Sequence, residues 1–325
     1  MISKKDYYIG IDLGASHLKF GIVDHNFRVI FKGSIPLPRK RSRNSIIGLI
    51  ENSIKLLLAF ARQKNIGIKS IGIGIPGIID SDKGKIRGAP PNLPEISDLS
   101  LGQVLAKNFK YPIFMDNDAN LMALAESRMG AARGYKYALC LTIGTGIGGG
   151  IILDNNLFRG ANFSGAEFGH MIICHHGIKC NCQSSGCLEM YASASAMIRI
   201  TKMLLKQGRK SLIPKLVSGK LNRITTETIF RAEKLKDKVA REVVSDTARF
   251  LGIGITSAIN LLNPQIVVVG GGVAQAGRKF IHLIEKETKK IGFPAITKNL
   301  IITGAKLGND AGFIGAAILA AEQPN

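Results

Sequence analysis

Ser164 to Glu189, SGAEFGHMIICHHGIKCNCQSSGCLE, gathers two carboxylates, three histidines and four of the chain's five cysteines into twenty-six residues. Within it His170, Cys180, Cys182 and Cys187 are separated by nine, one and four residues. One histidine and three thiolates at such spacings can close a tetrahedral zinc site. Glu167 and Glu189 flank the set. The competing reading makes the cysteines buried thiols and the histidines loop residues. Against it, Gly177–Gly186 is too polar and glycine-rich for a core, and a bound metal supplies order that burial cannot.

Other residues with chemical potential stand at the ends of strand patterns. Asp12 closes the alternating stretch Tyr7–Leu13, beside a turn at Gly14–Ser16, where a plain turn Asp is the alternative. Asp116-Asn117-Asp118 stops the apolar stretch Tyr111–Met115 and precedes the helical pattern Ala119–Met129. Either Asn117 or Asp118 can cap that helix, yet such a junction is also where α/β enzymes place carboxylates for chemistry. Gly144-Thr145-Gly146-Ile147-Gly148-Gly149-Gly150 has five glycines in seven positions, which frees backbone N–H groups to surround a phosphate. The strand Ile266–Val269 runs through Gly270-Gly271-Gly272 into a helix expected to begin near Ala274, a nucleotide-contact geometry. In the rigid loop Ala89–Pro94, Asn92 either presents its amide or serves as a turn residue.

The elements that must position these groups follow from composition and periodicity. A chain of 325 residues with 46% hydrophobic residues and 37 glycines predicts an α/β protein with many tight turns, large enough for two domains. Helical spacing marks Ser45–Lys64, Ala192–Gln207, Lys236–Leu262 and Gly308–Ala321, and a buried-looking strand covers Ser70–Ile75. Asp80–Lys85 reads as a turn. The basic, poorly patterned span up to Thr226 is expected to be a mobile excursion. No run reaches 18 apolar residues and no signal-peptide core precedes the first strand, so a cytoplasmic protein with reduced thiols and no membrane association is expected. The net charge of +21 would suit nucleic acid, a membrane surface or a polyphosphate. The cations are scattered, however, and the dense cluster Arg39–Arg43 lacks interleaved aromatics, which favours a solvated loop over a specific polyanion site.

Seven motifs occur in order along the chain: GIDLGAS from Gly10, APPNLP from Ala89, DNDAN from Asp116, GTGIGGG from Gly144, AEFGH from Ala166, CNCQSSGCLE from Cys180 and VVVGGGVA from Val267. By these motifs the whole chain resembles the ROK family of repressors, open reading frames and kinases. The resemblance implies an α/β fold of the two-lobed actin-like ATPase (ribonuclease H-like) type found in sugar kinases. Residues 1–117 with 311–325 would form a small lobe, and 118–310 a large lobe carrying the zinc-type loop. It implies that sugar and ATP meet in a cleft, with Asp118 as the base for the sugar hydroxyl. Asn92, Asn117, Asp118, Glu167, His170 and Glu189 would hold the sugar, and His170 could use its second ring nitrogen as a zinc ligand. Asp12, Gly14, Ser16 and the loop beginning Gly144-Thr145-Gly146 would face the ATP phosphates and Mg2+. Gly270, Gly271 and Gly272 would lie near the adenosine. A structural Zn2+ on His170, Cys180, Cys182 and Cys187 and a homodimer are also implied.

Two positions depart from the family's usual pattern: Ala15-Ser16 replaces Gly-Thr in the first phosphate motif, and Gln183 stands where glycine follows the second cysteine. The resemblance favours an ATP-dependent hexose kinase acting on glucose. The alternatives are fructose, N-acetylglucosamine or N-acetylmannosamine as the acceptor, polyphosphate as the donor, or a sugar-responsive repressor. A repressor of this family carries an added N-terminal DNA-binding domain, and a first strand at about Tyr7 leaves no room for one, so binding to nucleic acid is not expected.

Overall fold

A computed structural model describes residues 6–90 and 92–323; residues 1–5 and 324–325, and Pro91 of the Ala89–Pro94 loop, lie outside the described residues. In chain order the elements are β1 (Tyr7–Leu13), β2 (His17–Asp24), β3 (Val29–Pro36), α1 (Arg43–Gln63), β4 (Ile68–Ile75), β5 (Ile78–Asp80), β6 (Lys85–Arg87), α2 (Leu101–Ala106), β7 (Ile113–Asn117) and α3 (Asp118–Met129). There follow β8 (Ala138–Ile143), β9 (Ile147–Leu153), β10 (Asn156–Phe158), α4 (Glu189–Ala192), α5 (Ala194–Lys206), α6 (Ile213–Leu216), α7 (Thr226–Lys234) and α8 (Lys238–Leu262). β11 (Ile266–Gly270), α9 (Arg278–Ile291), α10 (Pro294–Thr297), β12 (Ile301–Gly304) and α11 (Ala311–Glu322) complete the chain. Two units result: Met1–Gly134 with Gly150–Ala166 and Leu307–Asn325, and Tyr135–Gly149 with Glu167–Lys306.

The first unit is built on the sheet β3-β2-β1-β4-β7, in which β1, β4 and β7 are parallel and β2 and β3 antiparallel. Side chains alternate along β1 and β4 as a pleated strand requires. Ile9, Ile11, Leu13, Ile71, Ile73 and Ile75 join Ile46, Ile50, Ile54 and Leu57 of α1 in one core. Among the described residues α1 alone is long and apolar enough to cross a bilayer, but this face is buried in the protein. The opposite face of the sheet carries Gly10 paired with Gly72. There α11 lies directly on the strands, because a Cβ at Gly10 would fall on the Phe313 carbonyl and one at Gly72 on the Ala316 carbonyl.

The second unit holds the parallel strands β8, β11 and β12, with β9 on the other side of β8. Asp237 caps α8 by accepting from Ala240 N, and Asn263 closes the helix with φ 43°, in the left-handed region Asn tolerates. The span before Thr226 is folded and not a free excursion. Ile213, Val217 and Ile224 are buried, and Leu212 N donates to Asp237 Oδ2 at 2.6 Å. Its apolar residues pack through short turns too irregular to leave a helical period.

The expected small lobe ended before α3, whereas α3 and residues 150–166 belong to the first unit. The reason is packing: Gly315 of α11 sits against the Leu121 carbonyl of α3, and Arg159 forms an ion pair with Asp116 at the end of β7. Gly72→Ala should therefore lower unfolding free energy by about 3 kcal/mol, the upper range for overpacking, because backbone cannot yield as a side chain does. Gly48→Ala on α1, where a Cβ meets nothing within 4 Å, should instead raise it by roughly 0.5–1 kcal/mol. Denaturant titration of the two variants checks both signs.

Candidate active site

In the first unit the functional residues collect at the carboxyl ends of the parallel strands. Asp12 on β1 pairs in register with Gly74 on β4, and Gly74 with Asp116 on β7, so the three strands end side by side. The three consecutive polar residues at the end of β7 have separate fates. Asp116 is buried; its Oδ2 accepts from Arg159 Nε at 2.6 Å, and its Oδ1 from Asn120 Nδ2 at 2.9 Å and Asn117 N at 2.7 Å. Asn117 is the N-cap of α3: its Oδ1 accepts from Ala119 N and Asn120 N, while its Nδ2 donates to the Gly77 carbonyl at 2.9 Å. Asp118 is the first helical residue, half-buried, and accepts from Ala119 N at 2.9 Å.

Asp12 is the carboxylate under most electrostatic stress. Burial pushes its carboxyl up to about 7, the Asp118 charge adds to the shift, and Lys19 opposes it. The carboxylate lies against the first turn of α11, where a Cβ at Gly312 would overlap it. Gly14 donates its N–H to the His17 carbonyl in the β1–β2 turn, and Ser16 is exposed there with its Oγ 3.0 Å from His17 Nδ1. Asn92 is exposed in the left-handed region, φ 63°, and its side chain makes no hydrogen bond among the described residues.

In the second unit the glycine-rich turn is shorter than expected: Gly144–Gly146 connects β8 to β9, and Gly148–Gly150 are strand residues. Gly144 N donates to the Gly146 carbonyl, and the Gly144 carbonyl accepts from Ala194 N at the start of α5. Glu189, first in α4, accepts Ile147 N at 2.8 Å through an oxygen that a Cβ at Gly146 would overlap. Burial raises the Glu167 carboxyl above its ordinary range; His170 opposes the rise and Glu189 adds to it. After β11, Gly271 adopts φ 84° against the end of β8 at Ile143. Gly270-Gly271-Gly272 leads first into a 3-10 turn, Val273–Ala276, and α9 begins only at Arg278, because Gly277 at φ 95° breaks the helix expected from Ala274.

His170, Cys180, Cys182 and Cys187 present donor atoms that all lie within 4.8 Å of one another. His170 Nδ1 is 3.7 Å from Cys180 Sγ, and Cys182 Sγ is 3.6 Å from Cys187 Sγ. A tetrahedral ion with metal–sulfur bonds of about 2.3 Å needs sulfur–sulfur edges of about 3.8 Å, so this donor set fits one. With Nδ1 turned to the thiols, His170 keeps Nε2 for another partner. Burial, with the neighbouring thiols, pushes Cys187 up to about 12, whereas the Ser184 N–H holds Cys182 below its usual value.

The ROK family model matches residues 8–323. The chain belongs to the ROK family. Among curated relatives, a glucokinase of Halalkalibacterium halodurans is 33% identical over 320 residues, covering 98% of this chain and 96% of the relative. A xylose repressor of Caldicellulosiruptor bescii is 32% identical over 308 residues, covering 94% of this chain and 76% of the repressor. The solved ROK glucokinase of Streptomyces griseus in complex with glucose and AMPPNP superposes with a TM-score of 0.84 at 30% identity, over 98% of this chain and all of that one. The fold is thus α/β, of the actin-like ATPase type that ROK sugar kinases share.

Against the ROK pattern the two departures behave differently. Ala15 is exposed and outside the left-handed region, so its methyl strains nothing in the β1–β2 turn. Gln183 takes φ 73°, keeping the glycine-type turn at a cost of about 1 kcal/mol. Arg159, the partner of buried Asp116, left no signal in the sequence; a lone arginine before a glycine offers none. For Asp12 the pH dependence has a definite sign. A carboxyl that rises from 3.8 to about 7 on folding leaves its stability contribution intact at low pH and loses it progressively as pH climbs through that window. The melting temperature of ligand-free Asp12→Asn relative to wild type should therefore rise between about pH 4 and pH 7 and level off above. A difference that stays flat with pH would contradict the assignment.

Proposed function

We propose that this protein is an ATP-dependent hexose kinase that transfers the γ-phosphoryl group of ATP to the 6-hydroxyl of glucose. The observation that carries the reading is the pair Asp12 and Asp118 at the carboxyl ends of β1 and β7, close enough for one charge to raise the other's pKa. One carboxylate to accept a proton and one to face the phosphates and their magnesium is an equipment that phosphoryl transfer needs and sugar sensing alone does not. Glucokinases among the relatives, and the glucose and AMPPNP in the Streptomyces griseus complex, support glucose and ATP as the pair.

On this reading Asp118 accepts the proton as the sugar oxygen bonds to the γ-phosphorus, the bond from that phosphorus to the bridging oxygen of ADP breaks, and the proton later returns to water. Asn92, Asn117, Glu167, His170 Nε2 and Glu189 contact the sugar hydroxyls. A ring of carboxylates and amides can read hydroxyl positions because each hydroxyl both donates and accepts. Gly14, Ser16 and Gly144-Thr145-Gly146 meet the phosphates with Asp12, and Gly270–Gly272 the adenosine. Magnesium, when bound with ATP, neutralises phosphate charge. Zinc on His170, Cys180, Cys182 and Cys187 holds the segment that carries His170 and Glu189. Four protein ligands leave it no open coordination position, so its role is structural. We further infer a homodimer working in the cytoplasm.

The second reading, a sugar-responsive repressor, is favoured by the match to the xylose repressor. An ADP-release assay over glucose, fructose, N-acetylglucosamine and N-acetylmannosamine, with ATP or polyphosphate, separates the candidates. Release with glucose and ATP supports the proposal; silence with every hexose alongside tight operator-like DNA binding rejects it. Asp118→Asn should lower kcat by ~100- to 10,000-fold with sugar binding and melting temperature near wild type, since Asn117 is the helix cap and Asn cannot take the proton. Near-normal kcat would return Asp118 to a scaffold role. Elemental analysis of purified active protein should find one zinc per chain, and Cys182→Ser should lose it together with thermal stability; active, metal-free wild type would rule the ion out.

A further inference from the structure

The Arg39–Arg43 cluster has no part in the phosphate, sugar or metal residues above, yet two of its side chains each make two hydrogen bonds to backbone carbonyls. Ser42 caps α1 in a reciprocal pair, accepting from Ser45 N at 3.1 Å and donating its own N–H to Ser45 Oγ at 2.9 Å, which fixes the backbone between Arg41 and Arg43. From that fixed point Arg41 Nη1 donates to the Asn92 carbonyl at 2.9 Å, and its Nε to the Pro38 carbonyl at 3.3 Å. Arg43 donates from Nε to the Glu95 carbonyl at 3.2 Å and from Nη2 to the Ser97 carbonyl at 3.0 Å. Three carbonyls of one loop are thus held by two neighbouring guanidiniums. A guanidinium is suited to this because its rigid fork of donors can serve two acceptors at once.

The same loop is anchored from beneath. Leu93 and Ile96 are fully buried, and Gly88 N donates to Asp98 Oδ1 at 2.9 Å to close the base. Between these anchors Asn92 stays exposed at φ 63°, in the left-handed region that Asn tolerates. Two hydrogen bonds meet at this turn: Leu93 N donates to the Pro90 carbonyl at 3.1 Å, and the Asn92 carbonyl itself accepts from Arg41. Gly77, whose carbonyl receives the Asn117 amide, also sits under Pro90, where a Cβ would be 3.2 Å from Pro90 Cα. The loop is therefore fitted to the end of β7 as well as to the arginines.

We propose that Arg41, supported by Arg43, is a positioning residue for sugar binding: it holds the Asn92 backbone so that the side-chain amide is presented to the acceptor sugar. Within this mostly exposed cluster Arg41 and Arg43 then act as a staple for a substrate loop. This rests on the hexose-kinase reading and adds a determinant of sugar affinity to it. When the arginine is lost, the competent loop conformation becomes a minor state, and apparent affinity falls by the fraction that remains competent.

Steady-state kinetics with glucose and ATP, and calorimetric titration of glucose without nucleotide, test it. Loss of charged hydrogen bonds of this kind should raise KM and Kd for glucose in Arg41→Ala about tenfold, leaving kcat and KM for ATP within about twofold. Arg41→Lys keeps the charge but cannot reach both carbonyls and should stay at least about threefold weakened. In an Asn92→Ala background, Arg41→Ala should add less than about twofold, since the residue it positions is already gone. Should Arg41→Ala melt early, Arg41→Gln preserves most of the stem and gives the same reading. Unchanged glucose KM, an equal rise in KM for ATP or polyphosphate, full rescue by lysine, or a full tenfold effect without the Asn92 amide would each overturn the proposal. Wild-type protein that phosphorylates no hexose would instead remove the kinase reading and this inference with it, an outcome visible before any variant is made.

Discussion

Backbone-to-backbone contact between α11 and the central strands is the constraint on which the first unit depends. Gly10 and Gly72 let the helix rest on the sheet, Gly315 lets it rest on α3, and Gly312 brings its first turn against the Asp12 carboxylate. Three packing partners thus converge on one helix, whose backbone meets them at these glycines while Phe313, Ile314, Ile318 and Leu319 bury their side chains. Such an approach gains dispersion contact over a large area and forgoes the adaptability of side chains, so even a methyl group is not absorbed. It also fixes the separation of β1 from the start of α3, and hence of Asp12 from Asp118.

The electrostatics follow from that geometry. Asp116 and Asp12 both lie at strand ends, but only Asp116 has a guanidinium and an amide to stabilise its charge. Asp12 sits in crowded surroundings beside a second carboxylate with only Lys19 in opposition, and its pKa moves to about 7. A carboxylate kept under such stress is typical of sites that await a cation or a phosphate-bound metal, where the charge that destabilises the empty site strengthens the filled one. The fold tolerates the strain because the glycine-mediated packing around it leaves no room to relax.

The second unit meets a different difficulty. Residues around the Cys180–Cys187 turn are too polar to be ordered by burial, and Gln183 even holds a glycine-type φ. Donor atoms converge regardless, with Cys180 and Cys187 buried and Cys182 exposed. Four donor side chains converge here in place of an apolar cluster, and the same short segment delivers Glu189 to the Gly146–Ile147 turn.

Much of this was legible in the chain itself. Helical periods marked α1, α3, α5, α8 and α11 and strand patterns marked β1, β4, β7 and β11, while β3 and β9 stood outside those patterns; the Cys/His spacing picked out four donors that the fold brings together, and seven ordered motifs gave the family and fold class, because each signal is local in sequence. The structure alone decided what long-range partners settle. Asp116, Asn117 and Asp118 are adjacent polar residues, yet Arg159 pairs with the first, the Gly77 carbonyl and the α3 backbone hold the second, and the third accepts from Ala119 N and adds its charge to that of Asp12. Likewise a basic run reads as a solvated loop, and it stays mostly exposed, yet the fold brings three carbonyls of the Asn92 loop within hydrogen-bond reach of two of its arginines. Sequence fixes which donors and acceptors exist; tertiary packing determines which partners each of them meets, because those partners lie far along the chain.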